Sequence, residues 1–163
     1  MDNFMQQFCQ QLINGISLGS IYALIALGYT MIYGIIKLIN FAHGDIYMIG
    51  AYFGFFATTQ LGVGFIPAII IAMAGAAVVG IIIERIAYRP MRNAPRIAIL
   101  ITAIGVSFLL EYGMILFVSP QPRTFPAVFT PTVYHMGPLV ANSQQLVILI
   151  SALILMVTLS YIV

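Results

Sequence analysis

From Phe65 to Ile83 the chain reads FIPAIIIAMAGAAVVGIII, without one charged side chain. That run constrains the fold more than any other feature. A helix at the surface of a soluble domain needs a polar face, and this one has none. About 20 consecutive apolar residues are what a helix needs to cross a bilayer. Four further apolar segments occupy 12–36, 46–60, 97–118 and 146–163. They cannot all hide in one soluble core, because only 6% of the chain is charged and 62% is hydrophobic, with a mean hydropathy of +1.08. Lipid is the solvent such a chain fits. The runs do not alternate polar and apolar residues, which argues against a transmembrane β-barrel. The expected fold is therefore all-α, a polytopic transmembrane bundle of about five spans. It reads as a single transmembrane domain over 1–163. The final segment is still apolar at Val163, with no polar flank, so the chain reads as the N-terminal part of something longer.

The connections set an orientation. ERIAYRPMRNAPR, 84–96, carries Arg85, Arg89, Arg92 and Arg96, and Pro90 and Pro95 are expected to interrupt any helix there. The loop at 119–145 is rich in proline and holds one basic residue, Arg123. The positive-inside rule places the arginine loop and Lys37 in the cytoplasm, and the N-terminus and proline-rich loop outside. Residues 1–11 contain no Lys or Arg, so no basic signal-peptide region precedes the first span, which reads as retained. Cys9 is the sole cysteine, which excludes an intrachain disulfide and a multi-cysteine metal site. A net charge of +2 is too small to suggest a nucleic-acid partner.

Polar residues are costly in lipid, so those inside such a chain are candidates for function. Asn40, His43, Gly44 and Asp45 lie together between the first two apolar segments. One reading makes them a break in the membrane path, lining or gating a solute route, with Gly44 allowing a turn or a close backbone approach. The other makes them a cytoplasmic turn in which Asn40 or Asp45 caps the next helix. The second segment is short unless 38–42 is added, which favours a broken helix at 38–46. The preceding Lys37 favours the interface. One imidazole and one carboxylate fall short of a metal's usual ligand set, so no metal is expected.

Glu111 lies within the fourth segment. An ionised acid at mid-bilayer costs roughly 2.5–3.5 kcal/mol on insertion scales, so a buried polar contact is expected for it, with an outer-interface position as the alternative. Arg85, Arg89 and Arg92 are expected to face a cytoplasmic partner, or to act only as a topology signal. Gly15 with Gly19, and Ala72, Ala74, Gly75, Ala76, Ala77 and Gly80, read as close helix packing. Phe53, Phe55 and Phe56 read as packing or lipid-facing groups. A short echo relates 26–32 to 103–109, placing Thr30 opposite Ser107. No Walker A, GxSxG, HExxH or CxxC pattern is present, so neither ATP hydrolysis nor a recognisable catalytic centre is expected of this chain.

Two blocks carry a family resemblance. GSIYALIALGYTMIYGIIKLINFAHGDIYMIGAY, 19–52, resembles the start of the inner-membrane permease subunit of branched-chain amino acid ABC transporters. ERIAYRPMR, 84–92, followed by ILITAIGVSFLLE, 99–111, resembles that family's next block. The resemblance implies a multi-pass subunit of a bacterial inner-membrane importer, not itself an enzyme. It implies a second, similar permease subunit, two cytoplasmic ATPase subunits that use ATP, and a periplasmic substrate-binding protein. No cofactor is expected in this chain. Leucine, isoleucine or valine would be selected largely by the binding protein. Urea and short-chain amide importers share a similar asparagine–alanine–histidine–glycine block and are the alternative. Tyr22-Ala23-Leu24 and Gly28-Tyr29-Thr30 look more like the amino-acid branch. Members of the family are considerably longer than this chain. A passive channel, a secondary transporter and a non-transporting membrane fragment stay open as readings of another class.

Overall fold

The computed structural model of the chain describes residues 3–37, 39–126, 132–136 and 139–162. In chain order the elements are helices α1 (Asn3–Ile36), α2 (His43–Thr59) and α3 (Phe65–Ile83), a π-helical turn (Glu84–Tyr88), a 3-10 turn (Arg89–Met91), α4 (Arg96–Phe117), strands β1 (Val133–Met136) and β2 (Leu139–Asn142), and α5 (Ser143–Ile162). The expected all-α membrane class holds. Four stretches, Phe4–Ile35, Phe65–Met91, Arg96–Phe117 and Ser143–Tyr161, are long and apolar enough to cross a membrane. The fifth helix, α2, has 17 residues, the short end of the spanning range of about 17–25. A break does precede it, but not over the expected 38–46: α1 stops at Ile36 and α2 starts at His43, so 43–46 form the first turn of α2. Lys37 turns the chain with a left-handed φ of 55°. Residue 38, the first of the expected break, lies outside the described residues.

The chain divides into two compact units, one made of 35–128 and the other of 1–34 with 129–163. In the first, α2 and α3 form an antiparallel pair at close range. A Cβ built at Gly50 would sit 3.2 Å from Ala76 Cβ, and one at Gly54 would sit 3.5 Å from Ala72 Cβ and 3.8 Å from the Ala68 carbonyl oxygen. Glycines four apart on one helix thus face alanines four apart on the other, running in the opposite sense. With lipid outside, apolar burial gives such helices no drive to associate. Close van der Waals packing through small residues supplies it instead. Gly75 serves the same interface differently, since a Cβ there would lie 2.5 Å from the Phe53 ring. Among the described residues, Gly15 and Gly19 have no atom within 4 Å of a built Cβ other than their own helix backbone and chain neighbours.

Pro90 does not end the helix where expected. Helical backbone continues from α3 through the π turn and the 3-10 turn to Met91. Proline lacks the N–H that an α-helical ladder would require, and the change of helix type before it removes that requirement. Pro95 does mark a boundary. It immediately precedes α4, and its carbonyl accepts the N–H groups of Ala98 (2.9 Å) and Ile99 (3.4 Å).

The second unit holds α1, the hairpin and α5. β1 and β2 pair antiparallel, with Val133 opposite Asn142 and Tyr134 opposite Ala141. This hairpin lies in the segment expected to be a proline-rich loop, of which 127–131 and 137–138 fall outside the described residues. The available signal was the short aromatic and β-branched run of β1, followed by Gly137-Pro138. Helix α1 bonds to the hairpin through a side-chain amide. Gln10 Nε2 donates to the Val140 carbonyl at 2.8 Å, and Val140 N–H donates to Gln10 Oε1 at 2.9 Å. Gln145 of α5 donates to Asn14 Oδ1 at 3.0 Å and accepts from Asn142 N–H at 3.1 Å.

Candidate functional site

The polar cluster singled out in the sequence lies where the turn before α2 meets the π turn and α4, within the 35–128 unit. Its apolar bed is the buried set Ile83, Tyr88 and Ala103, against which Ile46, Val79, Ala87, Val106 and Leu110 pack. Ile99, Ala103, Val106 and Leu110 share one face of α4 at the spacing a helix requires. That face brings Ser107 toward α2.

Asn40 organises the turn. Its side-chain oxygen accepts the Ala42 N–H at 3.0 Å, and its carbonyl accepts the His43 N–H at 3.3 Å. This is a side chain mimicking a backbone turn just before a helix. Ala42, fully buried, occupies the capping position without a side-chain cap of its own. The same Asn40 oxygen also accepts the Tyr88 hydroxyl at 2.7 Å, so both acceptor positions of the amide oxygen are used.

Asp45 lies in the first turn of α2, where a carboxylate suits the positive end of the helix dipole. Its Oδ2 accepts the Ser107 hydroxyl from α4. Several other serine and threonine hydroxyls fold back on their own helix: Thr30 donates to the Leu27 carbonyl, Thr102 to Ala98, Ser151 to Ile148 and Thr158 to Ile154. In the echo noted above, Thr30 satisfies itself locally while Ser107 reaches across to another helix.

His43 is the first residue of α2 and is partly buried. Gly44 is exposed in the same turn, has no positive φ, and a Cβ built on it would meet nothing within 4 Å. Neither its conformation nor packing among the described residues demands glycine there. The structure thus brings Asn40 and Asp45 into one bonded junction with Tyr88 and Ser107, two residues that sequence reasoning missed. Tyrosine and serine are ordinary in membrane helices, and their partners lie 48 and 62 positions away. Asn40 and Asp45 were legible because polar side chains stand out between apolar runs.

The remaining candidates lie apart from the junction. Glu111 is exposed on α4, next to exposed Tyr112. Arg85 and Arg89 are exposed on the π and 3-10 turns. Arg92 donates to Glu84 at 2.9 Å, an exposed pair that clasps those two turns. On the loop after α4, Arg123 lies over the Phe55 ring at 5.9 Å and donates to the Val118 carbonyl at 3.2 Å, while Phe125 meets Phe55 edge-on. A groove of about 360 Å³ runs between α2 and α3, lined by small and apolar residues that include Gly50, Gly54, Ala72 and Phe125. Among the described residues no His, Cys, Asp or Glu group is arranged to hold a metal.

Comparison with known proteins gives one consistent result. The family model for the permease component of branched-chain amino acid transport systems matches residues 11–163. The high-affinity branched-chain amino acid transport system permease protein LivH of Salmonella typhimurium is 48% identical over 134 residues, 75% of this chain and 42% of the relative. LivH of Escherichia coli K12 is 47% identical over the same shares. BraD of Pseudomonas aeruginosa, with the same descriptive name, is 45% identical over 129 residues, 74% of this chain and 42% of the relative. The chain therefore spans about two-fifths of the length of the curated relatives it matches. No solved structure matches it.

Proposed function

We propose, from the premise that this chain belongs to the permease family of branched-chain amino acid transport systems, that it forms part of the translocation path of an ATP-driven importer in a bacterial inner membrane. The family match over 11–163 carries this reading. The relatives are named as high-affinity branched-chain amino acid permeases, and their identities of 45–48% favour leucine, isoleucine or valine as solute over urea or an amide. A second permease completes the path. Two cytoplasmic ATPases use ATP, and a periplasmic binding protein delivers the solute. This chain supplies no catalytic group and holds no cofactor. Its task is to cross the bilayer and to change shape.

The junction at 40–45 is the gate in this reading. A route through lipid needs backbone that is not locked in a helix, and such backbone is tolerated only where it is buried in protein or lines a cavity. The interruption between Ile36 and His43 supplies such backbone; Ala42 is buried, Asn40 and Asp45 are bonded to neighbouring elements, and the exposed Ile39 and Phe41 would be covered in the assembled transporter. His43 and Gly44 then face the route, His43 as a hydrogen-bonding group and Gly44 as a bare stretch of backbone. Glu111, exposed within this chain, makes its buried polar contact with a neighbouring span of the assembled transporter. Arg85 and Arg89 offer their guanidinium forks to carboxylates of a cytoplasmic partner, beside the Arg92–Glu84 pair.

The test is uptake of radiolabelled leucine into proteoliposomes holding the full-length permease with its second permease, ATPases and binding protein. Uptake should require ATP, and His43→Ala should lower it about tenfold or more while insertion stays normal. Uptake that persists without the ATPases would replace the importer by a passive route. Normal uptake by His43→Ala would reduce 40–45 to a structural turn.

A further inference from the structure

We propose that Tyr88 is a positioning residue for the 40–45 gate, with Ser107 as its counterpart on α4. The proposal rests on the reading of that segment as the gate.

Three observations carry it. Tyr88 closes the π-helical turn, and it is 9% exposed with its ring set among Ile83, Ala103 and their apolar neighbours. A phenol in such a setting needs a partner for its hydroxyl. It finds Asn40 Oδ1 at 2.7 Å, the atom that also shapes the turn before α2 by accepting the Ala42 N–H. Secondly, the helix type changes at this place. Wide π turns inside helices are uncommon and recur at functional positions. This one occupies Glu84–Tyr88 and is followed at once by the 3-10 turn Arg89–Met91. Thirdly, Ser107 donates across to Asp45, whereas Thr30 and Thr102 donate back to their own helices.

The 40–45 segment is thus held from two sides. One hold comes from the π turn at its beginning, the other from α4 at the first turn of α2. Neither bond is needed to join covalently adjacent elements, and each fixes where the gate backbone lies. Arg85 and Arg89 are exposed on the same pair of turns as Tyr88. A force applied to those arginines moves the turn that carries the Tyr88 hydroxyl, and through it the Asn40 turn. Tyr88 therefore connects the arginine-bearing turns mechanically to the gate.

Tyr88→Phe tests this, because it removes one oxygen and keeps the ring in its apolar bed. In proteoliposomes with all partner subunits, Tyr88→Phe should lower maximal leucine uptake about five- to tenfold, the scale of one lost buried hydrogen bond. The leucine concentration for half-maximal uptake should stay within twofold. ATP hydrolysed per leucine imported should rise several-fold, a change that a merely less stable protein would not produce. Ser107→Ala should act in the same direction, and Ser107→Thr, which keeps the hydroxyl, should restore uptake. The double variant Tyr88→Phe/Asn40→Ala should be no worse than Asn40→Ala alone. Wild-type uptake and coupling in Tyr88→Phe would overturn the proposal. So would a loss of uptake fully explained by less assembled complex at an unchanged ATP-to-leucine ratio. If the wild-type protein itself shows no ATP-dependent uptake, the importer reading fails instead, so the two failures are distinguishable.

Discussion

The unit at 35–128 and the unit of 1–34 with 129–163 solve the same problem in opposite ways. Both must hold apolar helices in place where burial of apolar surface gives little drive. The first does so by closeness: Gly50 and Gly54 admit Ala72 and Ala76 to van der Waals contact, while Tyr88 and Ser107 hydrogen-bond across elements to Asn40 and Asp45. The second does so with amides: Gln10, Asn14 and Gln145 bond to one another's elements and to the backbone of β2. Shape-based packing is intolerant of added atoms and indifferent to loss of polar groups. Amide-based packing has the reverse sensitivity. The Gly15–Gly19 pair makes the contrast sharper, since it has the spacing of the first solution yet meets no other helix within 4 Å of a built Cβ among the described residues.

The largest expected effect comes from forcing atoms into the close interface. Gly50→Leu places a branched side chain where a bare Cβ already lies 3.2 Å from Ala76. It should destabilise the α2–α3 pair by about 3 kcal/mol, the upper end for overpacking. Thermal unfolding in detergent reads this, and an unchanged midpoint would show that the interface is not close-packed. Gly15→Leu under the same conditions should leave the midpoint unchanged, and an equal loss for both would erase the distinction between the two pairs.

A smaller effect is expected from the amides. Gln10→Leu keeps bulk but removes both bonds to Val140, and should cost about 1–2 kcal/mol. Amide hydrogen exchange at Val140 should speed up at least several-fold, with no change in α2–α3 protection. If exchange at Val140 stays slow, the hairpin is held by something other than Gln10.

The smallest effect belongs to the Arg92–Glu84 pair, whose side chains are 66% and 35% exposed. Glu84→Gln should shift stability by less than about 1 kcal/mol, since exposed pairs contribute little. A larger loss would mean that the pair is essential to the π and 3-10 turns it bridges.

Much of the architecture was legible beforehand. The runs at 65–83 and 97–118 became α3 and α4 with little adjustment, because length and apolarity leave a chain in lipid no alternative to a helix. The break before α2 was legible from the shortness of the second apolar segment and the polar residues ahead of it. The hairpin was not, because its strands are four residues each and sit among prolines. Nor was the continuation of helix past Pro90, which depended on a local change of helix type.

By itself the sequence determined the solvent, the class and the suspect segment, since hydropathy and the cost of polar groups in lipid act residue by residue. It also determined the family, through the blocks at 19–52 and 84–111. Only the tertiary structure decided which small residues are used, admitting Gly50 and Gly54 to contact and leaving Gly15 and Gly19 bare. Only it decided that Tyr88 and Ser107 belong with Asn40 and Asp45. A hydrogen bond between residues 48 or 62 positions apart leaves no local pattern in the chain, because its existence depends on where whole helices come to rest.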